Sequence, residues 1–209
     1  MTVLPAAVAA TGLAHIAARY AGPRWVAAVM KPVPIVLLAL TLAASRTPVD
    51  DAYRWLVVGG LVCSMVGDVW LLFPQHFRRG LASFLVAHLF YIAAFSRGGL
   101  PGVPTWFLLV PFVLASAVML GWLWPHLGHE RAAVMVYIAV LAVMGWAAAT
   151  RAWTHAPGGS LAALGAVVFM VSDGTLAVDH FARPFRAADG IVMVTYYTAQ
   201  TLITASALA

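Results

Sequence analysis

Long apolar runs follow one another along this chain, each near the roughly 20 residues that a helix needs to cross a hydrocarbon core. Arginine, glycine and proline divide them into eight candidate spans, at 2–18, 26–44, 54–73, 81–96, 103–124, 131–150, 160–179 and 190–208. The fourth is short; read as a re-entrant segment, it leaves seven. No hydrophilic stretch is long enough for a separate soluble domain, so residues 1–209 read as one integral membrane domain. The first run has no Lys or Arg ahead of it and Arg19 behind it, the reverse of a cleaved signal. It is expected to stay as a span. The pattern predicts an all-α, polytopic membrane helix bundle.

Composition supports the same class. Hydrophobic residues make up 63% of the chain and charged residues 9%, with a mean hydropathy of +0.93. Soluble domains run near 45–50% apolar and about 25% charged. The net charge is +5, but the basic residues lie between apolar runs and form no tract, which excludes a nucleic-acid surface. They read instead as topology signals. Arg19, Arg24, Arg78, Arg79, Arg131, Arg183 and Arg186 follow spans one, three, five and seven. Arg46, Arg54, Arg97 and Arg151 follow spans two, four and six. The positive-inside rule then places the first set in the cytoplasm and both termini outside a plasma or inner membrane. Cys63 is the one cysteine, so no intrachain disulfide forms, and no HExxH, HxxxH or CxxC spacing predicts a metal or cofactor.

Polar residues inside the apolar runs share one depth. Asp68 lies ten residues before Arg78, Asp173 ten before Arg183, and His88 nine after Arg79. Tyr197 is eleven after Arg186, and Lys31 seven after Arg24. At about 1.5 Å per residue these five groups sit about 10–17 Å from the same membrane face. An Asp or Lys at a helix centre costs about 2.5–3.5 kcal/mol and usually faces a bundle interior or a wet cavity. The economical solution brings them together, with Lys31 beside a carboxylate. A cation favours the charged form of its neighbour and a like charge disfavours it, so one ionised and one protonated Asp fit one pocket.

Periodicity agrees with convergence. Gly80, Phe84, His88, Tyr91 and Phe95 share a face of span four; Ser64, Asp68 and Gln75 share one of span three; Tyr197, Gln200, Thr201 and Thr204 share one of span eight. "GDVWLLF" at 67–73 echoes "SDGTLAVDHF" at 172–181. Each is followed by a basic loop, a glycine and a span with a polar residue, His88 or Tyr197. The echo is consistent with two four-helix halves in the same orientation. His126, His129, His155 and His180 cluster with loop residues and read as interfacial, as do Trp25, Trp55, Trp106 and Trp153.

The set "KP" at 31–32, "SMVGDVWL" at 64–71, "FRRGLASFLVAHLFY" at 77–91, "SDGTLA" at 172–177 and "YYTAQTLI" at 196–203 resembles the YhhN-like lysoplasmalogenase family. The resemblance runs from the second span to the eighth. It departs at "KPVP", where Pro34 adds a second proline, and in the loops after spans four to six. It implies a multispan protein that hydrolyses the vinyl ether bond of a lysophospholipid or other ether lipid among the membrane lipids. It also implies that Asp68 and Asp173 are catalytic.

That chemistry suits these residues. Protonation of the vinyl β-carbon gives an oxocarbenium-like cation, water adds, and the hemiacetal collapses to an aldehyde. As in glycoside hydrolysis, one carboxylic acid and one carboxylate are needed. Asp68 and Asp173 are the expected acid–base pair, with Lys31, His88, Tyr91, Tyr197 and Gln200 orienting water or the lipid headgroup. The alternative is a proton-coupled carrier built on the same Asp, His and Lys groups. A carrier needs a polar path from face to face, whereas the opposite half of each span reads as apolar. An assembly factor would leave the aligned ionisable groups unused.

Overall fold

The computed structural model describes residues 3–45, 49–97 and 105–209; Arg46 and the expected starts of the first and fifth spans lie outside the described residues. Nine α-helices form among them. In order they are α1 (Val3–Ala21), α2 (Arg24–Met30), α3 (Val33–Ala44), α4 (Asp51–Leu71), α5 (Phe77–Phe95), α6 (Val110–Leu123), α7 (Arg131–Trp153), α8 (Gly159–Ala177) and α9 (Ala188–Ser206). The second span is broken into α2 and α3 because Pro32 and Pro34 lack the N–H donors of a continuous helix. Lys31 sits at that break. α4 starts on Asp50, whose Oδ2 accepts from the Tyr53 amide at 3.1 Å. That amide and Arg97 hold the Asp50 carboxyl below the usual range.

Five segments are long and apolar enough to cross a membrane: Trp25–Ala44, Asp51–Leu71, Trp106–His126, Gly128–Trp153 and Gly159–Ala182. α1, α5 and α9 have 19 residues each and the same reach, and α5 and α9 are less apolar. Polar side chains explain the difference: α5 carries Arg78, Arg79 and His88, and α9 carries Asp189, Tyr196, Tyr197 and Gln200. The outer surface is oily, with Leu13, Trp25, Trp106 and Val118 all strongly exposed. With no water in a bilayer core, helices that satisfy their own backbone are the fitting elements.

The helices close into a ring in which α1, α3, α4, α5, α7, α8 and α9 each touch the next, and α9 returns to α1 and α3. α6 stands outside the ring against α7. The two sets of loops gather at opposite ends. At one end Arg19 pairs with Asp189 at 2.6 Å, Arg78 with Glu130 at 2.6 Å, and Phe77 stacks on His180. At the other, Arg97 pairs with Asp50, and Arg151 donates to the carbonyls of Arg97 and Pro157.

The sequence echo is also an echo of packing. Shifting the numbering from Asp68 to Asp173 carries Val57, Gly60, Leu61, Ser64 and Gly67 of α4 onto Ala162, Gly165, Ala166, Phe169 and Ser172 of α8, and all ten are buried. Shifting from His88 to Tyr196 carries Gly80, Phe84, Tyr91 and Phe95 onto Ala188, Val192, Ala199 and Ile203, again all buried. The contacts correspond as well. A Cβ on Gly60 would enter the Tyr91 ring, and one on Gly165 would meet Ile203 and the Ala199 carbonyl. Gly67 abuts Phe84, while the Ser172 hydroxyl donates to the Val192 carbonyl at 3.1 Å. The counterpart of His88 is Tyr196, one residue from the expected Tyr197. The expected face of span three also ends early, because Gln75 lies beyond α4 in a short 3₁₀ turn and is exposed.

Close approach at Gly60 sets the α4–α5 distance, so Gly60→Ala is expected to destabilise the bundle by about 1–3 kcal/mol through overpacking. Gly121→Ala, where a Cβ meets nothing within 4 Å, should leave stability unchanged or slightly raised. Thermal unfolding of both variants in detergent checks the contrast.

Candidate active site

Asp68 lies near the end of the buried face of α4 and is 1% exposed. Its Oδ1 is 3.5 Å from Lys31 Nζ, and its Oδ2 accepts from the Tyr196 hydroxyl at 2.8 Å. The proline break positions the lysine, because ending α2 at Met30 places residue 31 opposite α4 and α9. Tyr197 braces that break by donating its hydroxyl to the Lys31 carbonyl at 2.9 Å. Having given its one proton there, the Tyr197 oxygen accepts from His15 Nδ1 at 3.0 Å, on α1.

Asp173 is served differently. Tyr137 of α7 donates its hydroxyl to Oδ2 at 2.6 Å, and His88 Nε2 of α5 lies 3.2 Å from the same oxygen. His88 Nε2 is also 2.9 Å from the Tyr137 oxygen, closing a triangle. His88 is fully buried, and its Nδ1 has no partner among the described residues. A bare lone pair is tolerated better than a bare N–H, so Nε2 carries the proton and donates. The ring of His88 meets Phe169 edge-on at 4.9 Å, and Phe169 meets Tyr196 the same way at 5.6 Å. Phe169, one turn before Asp173 and fully buried, thus spaces the partners of the two aspartates.

Both aspartates open onto a cavity of about 200 Å³, lined also by Lys31, Phe84, Ser172 and Tyr196. Its mouth carries Asp179, His180 and Asp189 at the arginine-rich end. A second cavity of about 570 Å³ lies between α5, α6, α7 and α8. Its walls are apolar, with Phe112, Met119, Ile138, Leu141 and Val171 among them, and Asp173 and Tyr137 at one side. Asp173, Phe77 and Leu176 line both spaces. Among the described residues no group of three or more His, Cys, Asp or Glu side chains is placed to hold a metal.

The depth ruler thus brings Lys31 to Asp68 and His88 to Asp173, with both carboxyls on one cavity. Tyr91, Tyr197 and Gln200 fall elsewhere. Tyr91 donates to Gln200 Oε1 at 2.7 Å, bridging α5 and α9, and none of the three lines either cavity. Below them Tyr53 bonds Ser206 at 2.7 Å, so the half of the bundle expected to be apolar holds buried polar pairs. Sequence reasoning missed Tyr137 and Tyr196. Tyr196 had a signal, since it is four residues before Gln200 on the same helix face. Tyr137 had a weaker one, six residues after Arg131 and so about 9 Å deep, just short of the band of the expected groups.

Removing one partner of a buried ion pair leaves an uncompensated charge. Lys31→Met is therefore expected to lower stability by about 3–5 kcal/mol, and adding Asp68→Asn should restore much of that loss. Thermal unfolding of the single and double variants measures the coupling.

Comparison with known proteins agrees with the architecture. A rat protein named lysoplasmalogenase TMEM86B is 40% identical over 187 residues, covering 89% of this chain and 75% of that protein. Human lysoplasmalogenase TMEM86A is 35% identical over 203 residues, covering 89% and 80%. An uncharacterized membrane protein YhhN of Escherichia coli O157:H7 is 30% identical over 204 residues, covering 96% of each. No solved structure matches this chain. The YhhN family matches residues 26–207, which takes in every helix from α3 to α9 and five of the seven residues of α2, and the chain belongs to that family.

Proposed function

We propose that this protein hydrolyses the vinyl ether bond of lysoplasmalogen-type lipids inside the membrane, with Asp68 and Asp173 as its acid–base pair. The observation that carries the reading is the shared cavity. Two carboxyls from remote helices face one small polar space, and an apolar space large enough for a lipid chain adjoins it. The relatives named lysoplasmalogenase over most of the chain supply the reaction class. Lys31 and Tyr196 hold Asp68, while His88 and Tyr137 hold Asp173. Tyr91, Gln200 and Tyr197 hold the helices that carry these groups. A proton-coupled carrier draws support from the deeper polar pairs Tyr91–Gln200 and Tyr53–Ser206. Neither cavity reaches those residues, and this favours the hydrolase.

The arginine-rich end, onto which the polar cavity opens, is proposed to face the cytoplasm. Arg151 at the opposite end is buried against carbonyls and the Tyr53 ring, and Arg97 is paired with Asp50. Arg19 and Arg78 at the arginine-rich end are paired as well, so the proposal rests on the count of basic residues in the loops.

Purified protein in vesicles should release a fatty aldehyde from a lysoplasmalogen. Asp68→Asn and Asp173→Asn should each reduce release by about 100-fold or more. Asp173→Asn should unfold near the wild-type temperature, whereas Asp68→Asn leaves Lys31 uncompensated and lowers it. Aldehyde release that survives both substitutions would refute the pair. Solute uptake driven by a pH gradient, with no aldehyde, would select the carrier.

A further inference from the structure

We infer that the lipid lies across the two cavities with its alkenyl chain in the larger one, and that Asp173 is the proton donor while Asp68 remains a carboxylate beside Lys31. This rests on the hydrolase reading above and divides the roles that it leaves shared.

Three observations carry the assignment. First, Asp173 lines both spaces, whereas Asp68 lines only the polar one. The vinyl ether is the junction of an apolar chain and a polar glycerol, so the residue at the junction of the cavities meets it. The protonated carbon is the one on the chain side of that bond, towards the larger cavity. Second, the counter-charges differ. Asp68 has an ammonium group 3.5 Å from Oδ1 and a hydroxyl on Oδ2, which suits an ion. Asp173 has a neutral phenol and an imidazole, and no Lys or Arg pairs with it among the described residues. Ionising both acids would leave a net negative charge in a low-dielectric chamber. Third, both donors to Asp173 converge on Oδ2, and among the described residues no hydrogen bond reaches Oδ1. Oδ2 then acts as the carbonyl oxygen, and Oδ1 carries the proton.

The step balances without any co-reactant but water. The Oδ1–H bond breaks as the π electrons of the vinyl group take the proton at the β-carbon, leaving an oxocarbenium ion and an Asp173 carboxylate. The Asp68 carboxylate faces the developing cation. Water adds to the cationic carbon as the Asp68 carboxylate takes its proton, and that proton crosses the shared cavity to restore Asp173. The hemiacetal then passes its hydroxyl proton to the glyceryl oxygen as the carbon–oxygen bond breaks, giving aldehyde and alcohol. His88, Tyr137, Lys31 and Tyr196 are positioning residues, since each acts through an aspartate.

Asp173 is faced by His88 of α5 and Tyr137 of α7. Asp68, Lys31 and Tyr196 look across the shared cavity, with Asp179, His180 and Asp189 at its mouth. The mouth groups are common to both aspartates, whereas Tyr137 and Tyr196 each bond only one.

The full chain in vesicles, given lysoplasmalogens with a long and a short alkenyl chain, tests the assignment. Activity needing a protonated donor is lost on the alkaline side, and activity needing a carboxylate is lost on the acid side. Tyr137→Phe should displace only the alkaline limb of kcat/KM against pH, and Tyr196→Phe only the acid limb. Ala115→Trp, on the α6 wall of the larger cavity, should lower kcat/KM for the long chain roughly tenfold or more relative to the short one. An alkaline limb that moves with Tyr196→Phe instead, or an Ala115→Trp variant that slows both lipids alike, would overturn the assignment. A wild-type protein that releases no aldehyde from either lipid removes the hydrolase reading itself.

Discussion

Two carboxyl groups buried in an oily bundle must each find donors, and those donors stand on other helices. Asp68 of α4 is met by Lys31 from the second span and Tyr196 from the last. Asp173 of α8 is met by Tyr137 from α7 and His88 from α5. Each aspartate therefore takes one partner from its own half of the chain and one from the other half. Uncompensated, each charge would cost several kcal/mol. The polar bonds tie α4 to α9 and α8 to α5 at the level where the cavity forms, and apolar packing elsewhere follows that register.

The small residues make those bonds reachable. Gly67 lets α4 lie against Phe84, four residues before His88, and Ser172 meets Val192, four residues before Tyr196. A bulky side chain at either place would push the partner helix outward and lengthen both carboxyl contacts. Lipid tails offer no hydrophobic driving force between helices, so close contact through small residues takes over that role. Packing and polar pairing are thus one design, written twice in the chain.

Much of this was legible because charge in a membrane is rare and depth can be counted from the arginines. Lys31, Asp68, His88 and Asp173 stood out on both grounds. Tyr137 did not, since a lone tyrosine in "VMVYIAV" reads as an apolar core residue until its hydroxyl is seen on Asp173. The pair Tyr196-Tyr197 shows the limit of facial reasoning. Neighbours on a helix differ by about 100° in direction, and Tyr196 serves the carboxylate while Tyr197 serves the backbone break. Tyr91 and Gln200 stood out but were expected at the site, whereas their pairing with each other and the pair Tyr53–Ser206 were hidden for another reason. Uncharged side chains that satisfy one another inside the bundle leave little trace in hydropathy.

The two halves share a frame, yet among the described residues the large apolar cavity lies beside α6 of the second half, and the first spans of the two halves account for that. α1 closes onto α9: Gly12 abuts Tyr197, His15 bonds the Tyr197 hydroxyl, and Arg19 and Tyr20 bind Asp189 and the Arg186 carbonyl. α6, in the corresponding place, packs on α7 and faces α5 across open space between Phe77 and Leu81 on one side and Ala115 and Met119 on the other. One half is sealed by its first helix and the other is left ajar. Lys31 lies on the sealed side and gives Asp68 a fixed counter-charge there. Tyr137 stands in the corresponding place on the open side, where a lipid chain and an ammonium group would be poor neighbours. An apparently symmetric pair of acids is thereby given unlike surroundings, and that asymmetry follows from where one peripheral helix rests.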